Sequence, residues 1–129
     1  NFHEAFGYLI LIVGIRFTTR LQRSLEVQRI QRNIRELLDK LLLKGGLAST
    51  EELIIDLRTY LEELYSWNQH INLTALKTLE EMAVKHVGDT LVLVQHLPVG
   101  IHHLLDIGTG AGSPGLVLKF FCPDLKIVL

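Results

Sequence analysis

The chain has 129 residues, a formal net charge of −1 and a single cysteine, Cys122. That length suits one domain. A pI near 6.6 excludes a global electrostatic pull toward nucleic acid, and one cysteine excludes an internal disulfide, as in a reducing compartment. Hydrophobic residues make up 48% of the chain and mean hydropathy is +0.28. The chain opens on Asn1 rather than Met, and Leu125 to Leu129 read as a strand with nothing after it. Both ends therefore read as cut, and the chain as a fragment.

The apolar run Phe6 to Phe17 is shorter than the roughly 20 residues that span a bilayer. It has no preceding basic region and no clear cleavage site. It reads as a buried helix or strand, or as upstream sequence foreign to the fold, and no membrane association is expected. From Leu21 to Lys44 the pattern is helical, with Val27, Ile30, Ile34, Leu37, Leu38 and Leu41 as one apolar stripe. Gly45-Gly46 stops this helix. Arg16, Arg20, Arg23, Arg29, Arg32 and Arg35 lie around it rather than on one side, which reads as a solvated surface rather than a phosphate-facing patch.

Ser49 to Glu52 spells a capping box that opens a second helix to about Asn68, with Leu53, Leu57, Leu61 and Leu64 on its buried face. Trp67, at its end, reads as core or cleft wall rather than a base-stacking platform. Asn72 and Thr74 suit a turn held by side-chain to backbone hydrogen bonds. Thr78 to Glu81 is another capping box. Its helix runs through Val87, with Gly88 expected to kink or break it and Asp89 or Thr90 to cap the next turn.

The run His103 to Gly115 reads His-Leu-Leu-Asp-Ile-Gly-Thr-Gly-Ala-Gly-Ser-Pro-Gly. Leu104, Leu105 and Ile107 suit a buried parallel strand. Asp106 stands near its end, Gly108, Gly110 and Gly112 alternate, and Pro114 suits the first turn of a helix to Phe121. Leu125 to Leu129 is a second strand, which completes a right-handed βαβ unit. Such a loop places backbone amides around a small ligand, and an acid followed by alternating glycines is how methyltransferase folds hold S-adenosylmethionine. Gly110, Gly112 and Gly115 also spell the dinucleotide pattern. Against that reading, the pattern begins beyond Gly108, and Pro114 stiffens the turn a pyrophosphate would approach. His102 and His103 read as surface residues with no further metal ligands at fitting spacing, so no metal is expected. Cys122 reads as a buried helix-end residue with no activating partner.

Trp67-Asn68 with Asn72-Leu73-Thr74, Lys85-His86 with Asp89-Thr90, and Asp106 to Gly115 together resemble the bacterial small-subunit (16S) ribosomal RNA guanine-N7 methyltransferases, also called the glucose-inhibited division protein B family. The resemblance runs from about Ile34 to Leu129 and is that of an N-terminal fragment. The family pattern has an arginine where Lys85 stands, a serine at Thr90 and a bulkier apolar residue at Ser113. Lysine loses the bidentate fork of arginine.

The resemblance implies an α/β, Rossmann-like, S-adenosylmethionine-dependent methyltransferase fold, truncated after its second strand and preceded by a helical region. Residues 1–33 would be an extension, 34–100 the helical part of the domain and 101–129 the start of the donor-binding sheet. Asp106, Gly108, Thr109, Gly110, Gly112 and Ser113 would hold the donor. Asn72, His86 and Asp89 would face the substrate cleft, His86 and Asp89 orienting RNA, bracing the donor loop or sharing a hydrogen bond that holds their helix. The implied function is methylation of guanine N7 in ribosomal RNA by a cytoplasmic monomer, with the fragment alone inactive. Two other readings stay open: a piece of an NAD-type oxidoreductase, and a non-enzymatic helical module that binds RNA or protein.

Overall fold

The structure is a computed structural model that describes residues 2–129, and the side chains of residue 16 and of residues 18–129. Two compact units divide the chain, Asn1–Asn33 and Ile34–Leu129. The first helix, α1, covers Phe2–Lys44. The expected burial of Phe6 to Phe17 falls on side chains outside the described ones, apart from Arg16, which is exposed. Among the described residues no helix is long and apolar enough to cross a membrane.

The apolar stripe predicted for α1 needs correction. Ile34, Leu38 and Leu42 are buried and Leu37 and Leu41 pack against them, but Val27 and Ile30 are exposed. Periodicity marks a face that is able to be buried; burial also needs something to cover it, and the core begins at Ile34. The arginines at 16, 20, 23, 29, 32 and 35 are exposed, a solvated surface. Gly45-Gly46 ends α1 as expected. Gly46 takes φ 74°, its amide donates to Leu43 O and the Leu47 amide to Leu42 O. This pair of bonds satisfies carbonyls in the last turn of the helix, and Leu47 packs against the core.

Helix α2 covers Glu51–Ile71, three residues beyond the expected end. Its N-cap is Thr50, whose Oγ1 accepts from the Leu53 amide at 3.3 Å. The capping box expected from Ser49 does not form, because Ser49 Oγ donates instead to Asp39 Oδ1 on α1. Arg35 and Glu51 add a two-armed ion pair at 2.6 and 2.9 Å. Asn72 ends α2 at φ 48°, the left-handed conformation asparagine tolerates.

The following turn is organised by Asn68, which is 5% exposed. Its Oδ1 accepts from Thr74 N at 2.8 Å and its Nδ2 donates to Leu76 O at 3.0 Å. Trp67, next to it, is 56% exposed, which rules out the core half of the reading and leaves that of a cleft wall untested.

The capping box at Thr78 forms in full at the start of α3, Leu79–Met82. Glu81 Oε2 accepts from the amides of Lys77 and Thr78, which hold its carboxyl below the ordinary range. A π-helical segment, Ala83–Gly88, follows and runs directly into α4, Asp89–Val94. Gly88 is helical (φ −61°, ψ −48°) and no side chain caps α4. Of the expected kink or break at Gly88, the break does not occur, and a wider helical turn stands in its place. Thr90, fully buried, donates its hydroxyl to His86 O at 2.6 Å rather than capping a new helix.

Strand β1, His103–Leu105, pairs in parallel with β2, Lys126–Val128, in the register Leu104 with Ile127. Helix α5, Gly115–Phe121, connects them; Pro114 precedes it as the N-cap rather than lying in its first turn. Helix α5 packs against α2, α4 and β2. Val117 joins the same core as Leu38, Leu57, Leu61, Met82 and Val87. The helices and the βαβ unit therefore share one hydrophobic interior, which is what sets the loop between β1 and α5 against α2 and α4.

Candidate functional site

The loop from Asp106 to Pro114 is built by backbone conformation. Gly108, Gly110 and Gly112 all have positive φ, at 79°, 54° and 86°. An L-residue pays about 1–2 kcal/mol there, so the alternation of glycines is a conformational requirement. Side-chain volume adds nothing at Gly108, where an added Cβ meets no atom within 4 Å. At Gly110 it meets only Gly108 O at 3.9 Å. Open space therefore lies over the backbone at both positions.

Gly115 is needed for a different reason. An added Cβ would stand 2.7 Å from Asp106 Oδ2 and would collide with the end of Leu129. This close approach lets Asp106 Oδ2 accept from the Gly115 amide at 2.9 Å, while the Asp106 amide donates to Val128 O at 2.8 Å. The carboxylate at the strand end thus fixes the start of α5. Within the loop, Gly112 N donates to Thr109 O at 2.9 Å. Thr109 Oγ1 is buried with no hydrogen-bond partner.

Beside the loop lies a pocket of ≈ 310 Å³ lined by Lys85, His86, Asp89, Leu93, Ser113 and Pro114. The structure thus brings together three of the predicted site residues, His86, Asp89 and Ser113. It does not add Asn72 to that pocket; Asn72 is exposed at the end of α2. The hydrogen bond considered between His86 and Asp89 is absent. Asp89 pairs instead with Lys85 at 2.7 Å, both side chains exposed. His86 is half-buried and its Nε2 has no partner. Burial pushes its imidazole below its ordinary value, Asp89 opposes that shift and Lys85 adds to it.

Tyr60 was not singled out by the motif. It lies on the buried face of α2, between Leu57 and Leu61, and is 8% exposed. Its hydroxyl donates to Ala111 O in the glycine loop at 3.1 Å. The ring meets His86 edge-on at 6.4 Å and Phe120 at 6.3 Å. The available signal was a tyrosine on a leucine face, because a buried hydroxyl has to find a partner. Cys122 is half-buried rather than buried, and burial pushes its thiol up, away from nucleophilic character. Among the described residues no group of three or more histidine, cysteine, aspartate or glutamate side chains could hold a metal.

The family model described as GidB, rRNA small subunit methyltransferase G, matches residues 53–129. The chain is similar to the Ribosomal RNA small subunit methyltransferase G of Acinetobacter baumannii, 41% identical over 86 residues, covering 67% of this chain and 40% of that protein. It is similar to those of Aeromonas hydrophila (39% over 94 residues, 73% of this chain and 43% of the relative) and Photobacterium profundum (35% over 96 residues, 74% and 46%). The chain thus spans less than half the length of these relatives. No solved structure matches it. The matched region takes in all but the first two residues of α2, the π-helical segment, the glycine loop and β2, and the chain belongs to the rRNA small subunit methyltransferase G (GidB) family.

Proposed function

We propose that the chain carries the donor-loop portion of an S-adenosylmethionine-dependent methyltransferase that modifies guanine N7 of small-subunit ribosomal RNA. In this reading residues 1–33 are an extension, 34–100 the helical part of the domain and 101–129 the start of a larger donor-binding sheet. The observation that carries it is the loop: Gly108, Gly110 and Gly112 at positive φ directly after a strand, in a chain whose relatives are named methyltransferases. The names of those relatives favour this over the dinucleotide reading, and the shared core of helices and βαβ unit speaks against a separate helical module.

The residues present fit such a donor. Open space over Gly108 and Gly110 leaves their backbone accessible to it, and the orphaned Thr109 hydroxyl supplies a polar partner. Gly108, Gly110, Gly112 and Ser113 would offer main-chain groups. Asp106, which spends one oxygen on Gly115, would direct its other oxygen to the donor's ammonium, directly or through water. The bound donor supplies an electrophilic methyl group.

Guanine N7 has a lone pair and no proton, so the reaction needs no general base. The protein's task is alignment of N7 with the methyl carbon. His86 and Asp89, in the pocket beside Ser113, would orient the RNA, with Asn72 farther along the cleft. The reading carries with it a monomeric, cytoplasmic enzyme.

The test is a chimaera in which residues 34–129 replace the matching segment of the Acinetobacter baumannii relative. Methyl transfer from labelled S-adenosylmethionine into small-subunit RNA is measured, with aniline cleavage locating N7-methylguanine. Transfer is expected, and Gly110→Val in the chimaera should bring it to background. A folded chimaera that transfers nothing, or in which NAD displaces the donor, would overturn the reading.

A further inference from the structure

The peptide between Ala111 and Gly112 is a planar unit held from both sides. Its carbonyl, Ala111 O, accepts from the Tyr60 hydroxyl at 3.1 Å. Its N–H, on Gly112, donates to Thr109 O at 2.9 Å. The glycines that flank Ala111, Gly110 and Gly112, are the residues with the least resistance to a change of backbone angle. Without a clamp this plane would turn easily, and the amides of the loop would turn with it.

Core packing does not require the hydroxyl. A phenylalanine ring at position 60 would fill the same space between His86 and Phe120, whose rings it meets edge-on. Burial pushes the Tyr60 phenol up to about 12, so it remains a donor throughout the neutral range.

We propose that Tyr60 is a positioning residue whose hydroxyl fixes the Ala111–Gly112 peptide plane and so presets the glycine loop for the methyl donor. It acts from α2, through the backbone, and touches no reacting atom. The value of such a clamp lies in preorganisation: a loop already in its binding conformation loses less freedom when the ligand arrives. The inference rests on the donor reading of the loop.

The experiment compares the full chain with its Tyr60→Phe variant by amide hydrogen exchange and by NMR titration with S-adenosylhomocysteine at millimolar concentration. The variant keeps the ring and its packing, so its melting temperature should fall only by the few degrees that one hydrogen bond is worth. Exchange at Gly112, whose N–H belongs to the clamped peptide and donates to Thr109 O, should speed up roughly 2- to 12-fold, the range expected for one lost neutral hydrogen bond. Exchange at Leu57 and Leu61 should stay unchanged. The titration of the loop amides should weaken by a similar factor.

Unchanged loop exchange would overturn the proposal, as would a uniform rise across α2 and the loop, which marks a structural role alone. Faster loop exchange with an unaltered titration would overturn the link to the donor. If neither the unmodified chain nor the chimaera carrying residues 34–129 responds to S-adenosylhomocysteine while the exchange difference is present, the donor reading fails and the peptide clamp stands.

Discussion

Leu38, Leu42, Leu57 and Leu61 are each 0% exposed, whereas an added Cβ at Gly108 would meet nothing within 4 Å. The helical layer is held by apolar surface removed from water, and the glycine loop by backbone angles and a few hydrogen bonds. The first mechanism scales with buried area, about 25 cal/mol per Å². The second scales with the number of residues kept in conformations that other side chains resist. The contrast is one between a scaffold that tolerates chemical exchange of equal volume and a loop whose three positive-φ glycines resist most side chains. The two meet at Tyr60, which belongs to the leucine face of α2 and reaches the loop through Ala111 O.

The largest expected effect tests the scaffold side. Leu61→Ala removes a fully buried side chain and should cost about 2–5 kcal/mol, read from the urea midpoint of the full chain. A loss below that of any loop substitution would break the contrast.

A smaller effect sharpens the loop side. Gly108→Ala should cost about 1–2 kcal/mol, all of it from φ 79°, since there is no clash to add. Gly108→Asn should recover much of that loss, because asparagine tolerates the left-handed region better than other L-residues. Equal losses for alanine and asparagine would show that something other than φ selects glycine.

The smallest effect lies at the junction. Burial holds the His86 imidazole below its ordinary value of 6.5. The unfolded chain then takes up this proton more readily than the folded one. The stability that depends on neutral His86 is present above about pH 6.5 and is lost as pH falls through the folded value. Melting temperature measured from pH 7.5 down to pH 5 should decline more for the unmodified chain than for His86→Gln. Parallel declines would mean that His86 titrates as a solvated side chain.

The glycine loop was legible in the sequence because its requirement is local. Gly108, Gly110 and Gly112 take positive φ, a property that depends on their own missing Cβ atoms. The Thr78 capping box was legible for the same reason, since both of its hydrogen bonds close within four residues. Ser49 misled because an equally good local cap lost to a partner far along the chain, Asp39. Val27 and Ile30 misled because helical periodicity names a face without naming what covers it. The Gly88 break failed because glycine's helix cost of about 1 kcal/mol is small beside burial of Val87 and Leu91 on either side of it. Of the site residues, His86, Asp89 and Ser113 share a pocket, and no motif pointed to Tyr60.

The sequence by itself determined where α1 ends, at Gly45-Gly46, where the loop turns and which residues are free to adopt its angles. Those are properties of a few neighbouring residues and their own sterics. Only the tertiary structure decided that the Asp106 carboxylate anchors Gly115, that the helix continues through a π segment to present His86 and Asp89 beside Ser113, and that Tyr60 reaches Ala111 from α2. Each of these joins groups on different elements, and such contacts are set by how helices and strands pack around a common core rather than by any short run of residues.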